Sequence, residues 1–305
     1  MRLVFMGTPE IAATCLKRLW EDGREIVGVY TKPDTPQKRG MKLTASAVKT
    51  FASQQGLRVV QPATFRDDQA VEELRALRPD LILVVAYGKI LPQRVLEIPP
   101  KGCVNIHASL LPLLRGAAPI QRAVLEGFSE TGVTAMYMAK ELDAGDIIDR
   151  TATPIGENET AGELTLRLAD LGAELLSRTV DAIQAGTAYF VPQDPEKVTY
   201  APMLTKEEAA IDWTQPARVI HHQICGLNPW PVAQTDLGGS RLKIYNSLVL
   251  DETTQAAPGT PLGVGKKGLD MACGQGTVLR ITRLQAQGGK QMPAADYFRG
   301  HPLEL

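Results

Sequence analysis

The feature that most constrains the fold is an alternation, through the first half of the chain, of short apolar runs with segments of helical period. Residues 81–85 read LILVV, apolar at every position. A strand with one wet face alternates apolar and polar residues. One that is apolar throughout is covered on both faces, as inside a parallel sheet flanked by helices. Residues 2–6, 25–31, 57–60 and 104–106 read as further strands, and 132–138 and 146–153 as two more. Between them, residues 11–20, 45–55, 67–77 and 118–127 carry helical spacing, with Val71, Leu74 and Leu77 on one face. Residues 160–185 read as a long helix. This order predicts a doubly wound, Rossmann-like α/β domain over residues 1–190.

The character then changes. Residues 191–207 hold Pro192, Pro195 and Pro202 with few core-forming side chains, and read as a linker. A short helix at 216–225 follows, then β-like runs at 231–237, 241–249, 262–273 and 277–286, most separated by glycine-containing turns. That pattern predicts a small β-barrel domain over residues 208–305. A chain of 305 residues comfortably holds two such domains.

Net charge is −1, which argues against a protein that coats long nucleic acid but leaves room for a local basic patch. Cys15, Cys103, Cys225 and Cys273 lie far apart with no C-x-x-C pair. Clustered zinc ligands are therefore not expected, and buried, reduced thiols are. The opening apolar run is broken by Gly7, Thr8, Pro9 and Glu10, too early for a signal peptide. No run of about 18 apolar residues suggests a membrane span. A cytoplasmic protein is expected.

The chemistry concentrates in Asn105-Ile106-His107-Ala108-Ser109-Leu110-Leu111-Pro112, at and just beyond a strand end, where open α/β sheets bind ligands. Asn105 and His107 are two apart and project to the same side of an extended chain. An amide donor and an imidazole converging on one spot suit a carbonyl whose oxygen becomes an oxyanion. A carboxylate would complete the set, and Asp143, in Glu141-Leu142-Asp143-Ala144-Gly145-Asp146, is the candidate to orient His107 and collect protons. Spacing alone does not bring Asp143 to His107. A lone histidine after a strand is more often structural, and an aspartate beside a glycine is as often a turn-former.

These segments resemble the folate-dependent formyltransferases. The likeness continues through Arg115-Gly116-Ala117-Ala118-Pro119-Ile120-Gln121, Thr131-Gly132-Val133-Thr134 and Leu142-Asp143-Ala144-Gly145-Asp146. Phe5-Met6-Gly7-Thr8-Pro9, Lys206-Glu207-Glu208, Ile211-Asp212-Trp213 and Asn228-Pro229-Trp230-Pro231 extend it over most of the chain, and R-G-A-A-P-I-Q is similar to the methionyl-tRNA branch. The resemblance implies a formyltransferase domain followed by an OB-like barrel. It implies 10-formyltetrahydrofolate as formyl donor, initiator methionyl-tRNA as acceptor, no metal and a monomer. Asn105, His107 and Asp143 fall on the family's catalytic triad. Ser109, Leu110, Leu111 and Pro112 fall on its folate-contacting segment, and Val85, Tyr87, Gly88, Ile90 and Leu91 on its pterin-pocket backbone. The implied roles are an oxyanion held by Asn105 and His107, and protons relayed by Asp143 through water.

Residues 32–49 carry Lys32, Lys38, Arg39, Lys42 and Lys49 against Asp34 alone. On composition this is a solvated loop. The resemblance implies a loop entering the tRNA acceptor stem, with Lys38, Arg39 and Lys42 as RNA contacts, although Lys38 stands where the family commonly has glycine. An amino-sugar formyltransferase would share the triad but lack this loop. A 10-formyltetrahydrofolate hydrolase would not need it. A dinucleotide-dependent dehydrogenase is disfavoured because Gly7-Thr8-Pro9 is no G-x-G-x-x-G. A purely RNA-binding protein leaves Asn105, His107 and Asp143 without a purpose. Arg241, Lys243, Lys266, Lys267, Arg280 and Lys290 are candidate basic contacts in the second domain.

Overall fold

The structure, a computed structural model, describes residues 1–37 and 42–303, and only the backbone of residues 36, 37 and 42. Of the RNA-contact candidates, Lys38 and Arg39 therefore lie outside the described residues. Lys42 opens the short strand Lys42–Thr44, paired antiparallel with Thr35–Gln37. The chain divides into two units that interleave in sequence. The first comprises residues 1–116, 131–153 and 165–200, and the second residues 117–130, 154–164 and 201–305.

The first unit is built on a seven-stranded sheet in the order Ile147–Pro154, Glu130–Tyr137, Cys103–His107, Leu81–Val85, Leu3–Gly7, Ile26–Tyr30, Val59–Val60. The strands from Cys103–His107 to Val59–Val60 are parallel, and Glu130–Tyr137 joins antiparallel to Cys103–His107. Leu3–Gly7 and Leu81–Val85 are buried at every residue, so their unbroken apolar character reflects cover on both faces. One face packs Val4, Met6, Tyr30, Ile82, Val84 and Cys103 against Val71 and Leu74 of the helix Asp68–Ala76. On the other face Gly172, in the long helix Ala161–Ala185, approaches Ile106 and Cys15 closely. Helix starts follow their caps: Ser46 accepts from Lys49 N–H and Asp67 from Ala70 N–H, which begins these helices at Ala47 and Asp68.

The second unit has antiparallel strands in the order Ala233–Leu237, Ser240–Thr253, Thr277–Ala286, Gly268–Ala272, Pro261–Gly265, with Met292–Pro293 also paired to Thr277–Ala286. Its core joins Leu242, Ile244, Leu269, Met271, Leu279 and Ile281 to Ile220 and Ile224 of the helix Ala217–Gly226 and to Tyr297 and Phe298 of the helix Ala294–Gly300. Two features differ from the sequence expectation. Residues 262–273 form a hairpin rather than one strand, turning between Gly265 and Gly268. The helix Ala294–Gly300 has no counterpart in that expectation; it contributes Ala294, Tyr297 and Phe298 to the core.

Candidate active site

Cys103–His107 alternates as a strand inside a sheet must. Cys103 faces the cluster of Val84, Leu91 and Val95, whereas Ile106 lies on the Gly172 side. Asn105 and His107 share the Cys103 face and advance toward the strand's C-terminal end. Asn105 is half-buried, and its carboxamide has no hydrogen-bond partner among the described residues. His107 is 6% exposed, with Nε2 2.9 Å from the Leu114 carbonyl oxygen. A carbonyl only accepts, so Nε2 carries a hydrogen and Nδ1 faces the other way.

Nδ1 faces Asp143, whose Oδ2 is 3.6 Å away. The two candidates that sequence could not join are thus neighbours. The separation exceeds a hydrogen bond, so Nδ1 keeps capacity for another partner. Asp143 lies in the turn between Glu130–Tyr137 and Ile147–Pro154 with φ +49°. Its Oδ2 accepts the Gly116 N–H at 2.8 Å, and no hydrogen bond among the described residues reaches Oδ1. The turn is tight. A Cβ on Gly145 would lie 1.7 Å from the Tyr137 carbonyl oxygen, so the glycine is required by backbone approach.

The Ser109–Pro112 segment is held from several sides. Thr134, opposite His107 in the ladder, donates its hydroxyl to the Ser109 carbonyl at 2.6 Å and accepts the Leu111 N–H at 3.1 Å. Ser109 Oγ donates to the Leu113 carbonyl, and Arg150 Nη1 to the Leu111 carbonyl. The Leu111 side chain is fully buried against Met136 and Ile147. A Cβ on Gly132 would collide with Thr151 O and Leu110 Cδ2, so the T-G-V-T segment supplies both space and anchors. Leu111–Pro112 is a cis peptide.

Val85, Tyr87 and Leu91 turn their side chains into the core, whereas Ile90 is 92% exposed. Tyr87 and Tyr30 bury hydroxyls that have no hydrogen-bond partner among the described residues, and burial pushes both phenols far above their ordinary range. Gly88 has φ +71°, and the Lys32 side chain lies over it. Lys89 Nζ donates to the Pro62 and Ala63 carbonyls, and its ammonium is held below the usual lysine range by desolvation and then by Lys32. Among the described residues, the backbone N–H groups of Gly88, Lys89 and Ile90 take part in no backbone hydrogen bond.

Sequence reasoning missed the residues that hold this site together. Gln193 Nε2 donates to the Asp143 and Gly145 carbonyls, both at 2.8 Å, and Thr199 Oγ1 accepts the Leu114 N–H. Both come from the proline-containing stretch, where no periodicity marks a partner. In the second unit, Arg241 and Arg280 are paired with Asp236 and Asp270, while Lys243, Lys266 and Lys267 have no ion-pair partner among the described residues.

Residues 1–180 match the formyl transferase family, and residues 203–302 match the formyl transferase C-terminal domain. The chain is 47% identical over 304 residues to the methionyl-tRNA formyltransferase of Trichlorobacter lovleyi, covering 100% of this chain and 95% of that one. It is 49% identical to that of Moorella thermoacetica over 99% of this chain and 97% of the relative. The fold is similar to an N-formyltransferase from Helicobacter canadensis solved with folinic acid and dTDP-3-aminofucose. The TM-score is 0.72 at 19% identity, over 92% of this chain and 98% of that one. It is also similar to Aquifex aeolicus HypX solved with tetrahydrofolic acid, with a TM-score of 0.64 at 17% identity, over 98% of this chain and 47% of that one. The chain therefore belongs to the formyl transferase family, in the branch of the methionyl-tRNA formyltransferases.

Proposed function

We propose that the chain moves the formyl group of 10-formyltetrahydrofolate to the α-amino group of methionine on initiator methionyl-tRNA, the step that prepares this tRNA for starting protein synthesis. The observation that carries the reading is the approach of Asp143 Oδ2 to His107 Nδ1 at 3.6 Å, beyond the end of the strand that also presents Asn105. The site suits a folate. The backbone N–H groups of residues 88–90, unpaired among the described residues, offer hydrogen bonds to a heterocycle's polar edge, and the Asn105 amide, unpartnered among the same residues, offers a donor to a formyl oxygen.

Each residue then has a distinct task. Asn105 donates to the formyl oxygen as negative charge gathers there, and His107, whose Nε2–H is given to the Leu114 carbonyl, adds a second donor from Nδ1 only as the imidazolium. The Leu114 carbonyl fixes the ring, so that Nδ1 rather than Nε2 meets the reacting group. Asp143 Oδ1, which no hydrogen bond among the described residues reaches, takes the proton that the attacking amine sheds and passes it through water to N10 of the folate, as the bond from the formyl carbon to N10 breaks and tetrahydrofolate leaves. The buried Leu111 and the Thr134 hydroxyl hold the Ser109–Pro112 backbone in one conformation for the donor.

For the tRNA, Lys38, Arg39 and Lys42 are the proposed contacts of the basic loop. A cleft of about 330 Å³ in the second unit, lined by Gln234, Arg241, Lys243 and Gln285, adds positive charge and amides suited to phosphate. The protein is proposed to act as a cytoplasmic monomer. The test is transfer of label from 10-formyltetrahydrofolate to methionyl-initiator tRNA, with a dTDP-amino sugar as the competing acceptor. Labelled methionyl-tRNA is expected. Label on the sugar alone would refute the assignment. Arg39→Ala should raise the KM for tRNA and leave folate binding unchanged.

A further inference from the structure

Asp143 stands at φ +49°, in the left-handed region. Aspartate tolerates that region better than most side chains, yet at a cost that surrounding contacts offset. The surroundings in this case form a closed circuit. The Gln193 carboxamide gives its two N–H groups to the Asp143 and Gly145 carbonyls, at 2.8 Å each. Its oxygen accepts two hydrogen bonds from Arg115, from Nε at 3.1 Å and Nη2 at 2.8 Å. Two donors and two lone pairs are all a carboxamide has, so every one is used. Turning the amide over would set oxygen against two carbonyls and NH2 against a guanidinium. Its orientation is therefore forced.

The circuit closes through the main chain. Gly116, the residue after Arg115, donates its N–H to Asp143 Oδ2, and Arg115 N–H is itself held by the Thr199 carbonyl at 2.9 Å. Asp143 is thus gripped at both ends, backbone and carboxylate, by one two-residue segment and one amide. Arg115 is 9% exposed and, among the described residues, meets no carboxylate. A buried guanidinium ordinarily finds one. This one gives its fork to a neutral side chain whose other face holds the Asp143 turn.

We propose that Gln193 is a positioning residue for formyl transfer: locked by Arg115, its carboxamide fixes the turn that keeps the Asp143 carboxylate against His107. The inference rests on the reading of Asp143 as the proton carrier. A tie that merely supported folding would lower stability without regard to whether that carboxylate is present.

The test is a double-mutant cycle on the full-length protein. Turnover and KM for both substrates are measured for the wild type, Gln193→Ala, Asp143→Asn and the double variant. Gln193→Ala should lower kcat about 10- to 100-fold, as expected when a reacting group is displaced by up to 1 Å, with both KM values within about threefold of wild type. In the Asp143→Asn background the further loss should be less than about twofold, because the carboxylate to be misplaced is already gone. Gln193→Glu keeps an acceptor for Arg115 and loses both N–H donors. Its second oxygen faces the two carbonyls, opposed by the new ion pair with Arg115, so the turn is released and the same loss of kcat is expected; it replaces the alanine variant in the cycle if that one does not fold. An equal further loss in both backgrounds, wild-type kcat in Gln193→Glu, or a rise in KM alone would overturn the proposal. Wild-type turnover in Asp143→Asn would instead overturn the underlying reading of Asp143.

Discussion

Gly145→Ala perturbs the site without touching any reacting group. The added Cβ would lie 1.7 Å from the Tyr137 carbonyl oxygen and 2.8 Å from its carbon. A relaxed carbon–oxygen contact is about 3.3 Å, so turn and strand must separate by roughly 1.6 Å. Gln193 reaches the Gly145 and Asp143 carbonyls at 2.8 Å, and Gly116 reaches Asp143 Oδ2 at 2.8 Å. Lengthening by more than about 0.4 Å takes such bonds past good geometry. Two or three lost hydrogen bonds at about 1 kcal/mol each, added to an overpacking cost of about 1–3 kcal/mol, give a destabilisation of roughly 3–6 kcal/mol. A displacement of 1 Å at a reacting group costs about 100-fold in rate. Urea unfolding reads the first quantity, and single-turnover formyl transfer with saturating donor reads the second. Gly265→Ala, where an added Cβ meets nothing within 4 Å, is the control. A Gly145→Ala protein with the wild-type urea midpoint and wild-type single-turnover rate would refute the account of the turn.

His107→Ala should reduce kcat by about 10²- to 10³-fold, the range for loss of one donor to an oxyanion, with circular dichroism unchanged. Leu111→Ala removes a fully buried side chain packed on Met136 and Ile147 and should cost about 2–5 kcal/mol in denaturant titration. Burial holds the His221 and His222 imidazoles below the ordinary histidine value, with His221 adding to the effect on His222. The unfolded chain therefore binds more protons near and below about pH 6.5. Stability should be full above that value and fall as pH drops through it. Thermal midpoints between neutral and mildly acid buffers should show this slope, flattened in a His221→Gln, His222→Gln double variant.

Much of the fold was legible because burial on both faces leaves a mark that needs no partner to read. Leu81–Val85 has the observed bounds that its five apolar residues suggest. The hairpin from Pro261 to Ala272 went unread. Its turn at Lys266-Lys267 is flanked by Gly265 and Gly268, a turn signal that the apolar residues on either side outweighed in the sequence expectation. The helix Ala294–Gly300 spans two turns, too few for a periodic signal. At the site, His107 and Asn105 could be joined by strand alternation, since they stand two positions apart. Asp143 needed the resemblance. Gln193 carried no signal, because its contact lies 50 residues from Asp143 and depends on the path of a stretch without periodicity.

The four cysteines bear on how such experiments are done. All are buried, and burial pushes the thiols of Cys15, Cys103 and Cys225 up to about 12 and that of Cys273 to about 11. Almost none of their thiolate exists at neutral pH, so the folded chain offers maleimides almost nothing to attack. An Ile90→Cys variant, at a position 92% exposed within the proposed folate-binding segment, would carry a fluorophore at a single place. Donor and acceptor arrival could then be followed in real time without first stripping the natural sulfhydryls from the protein.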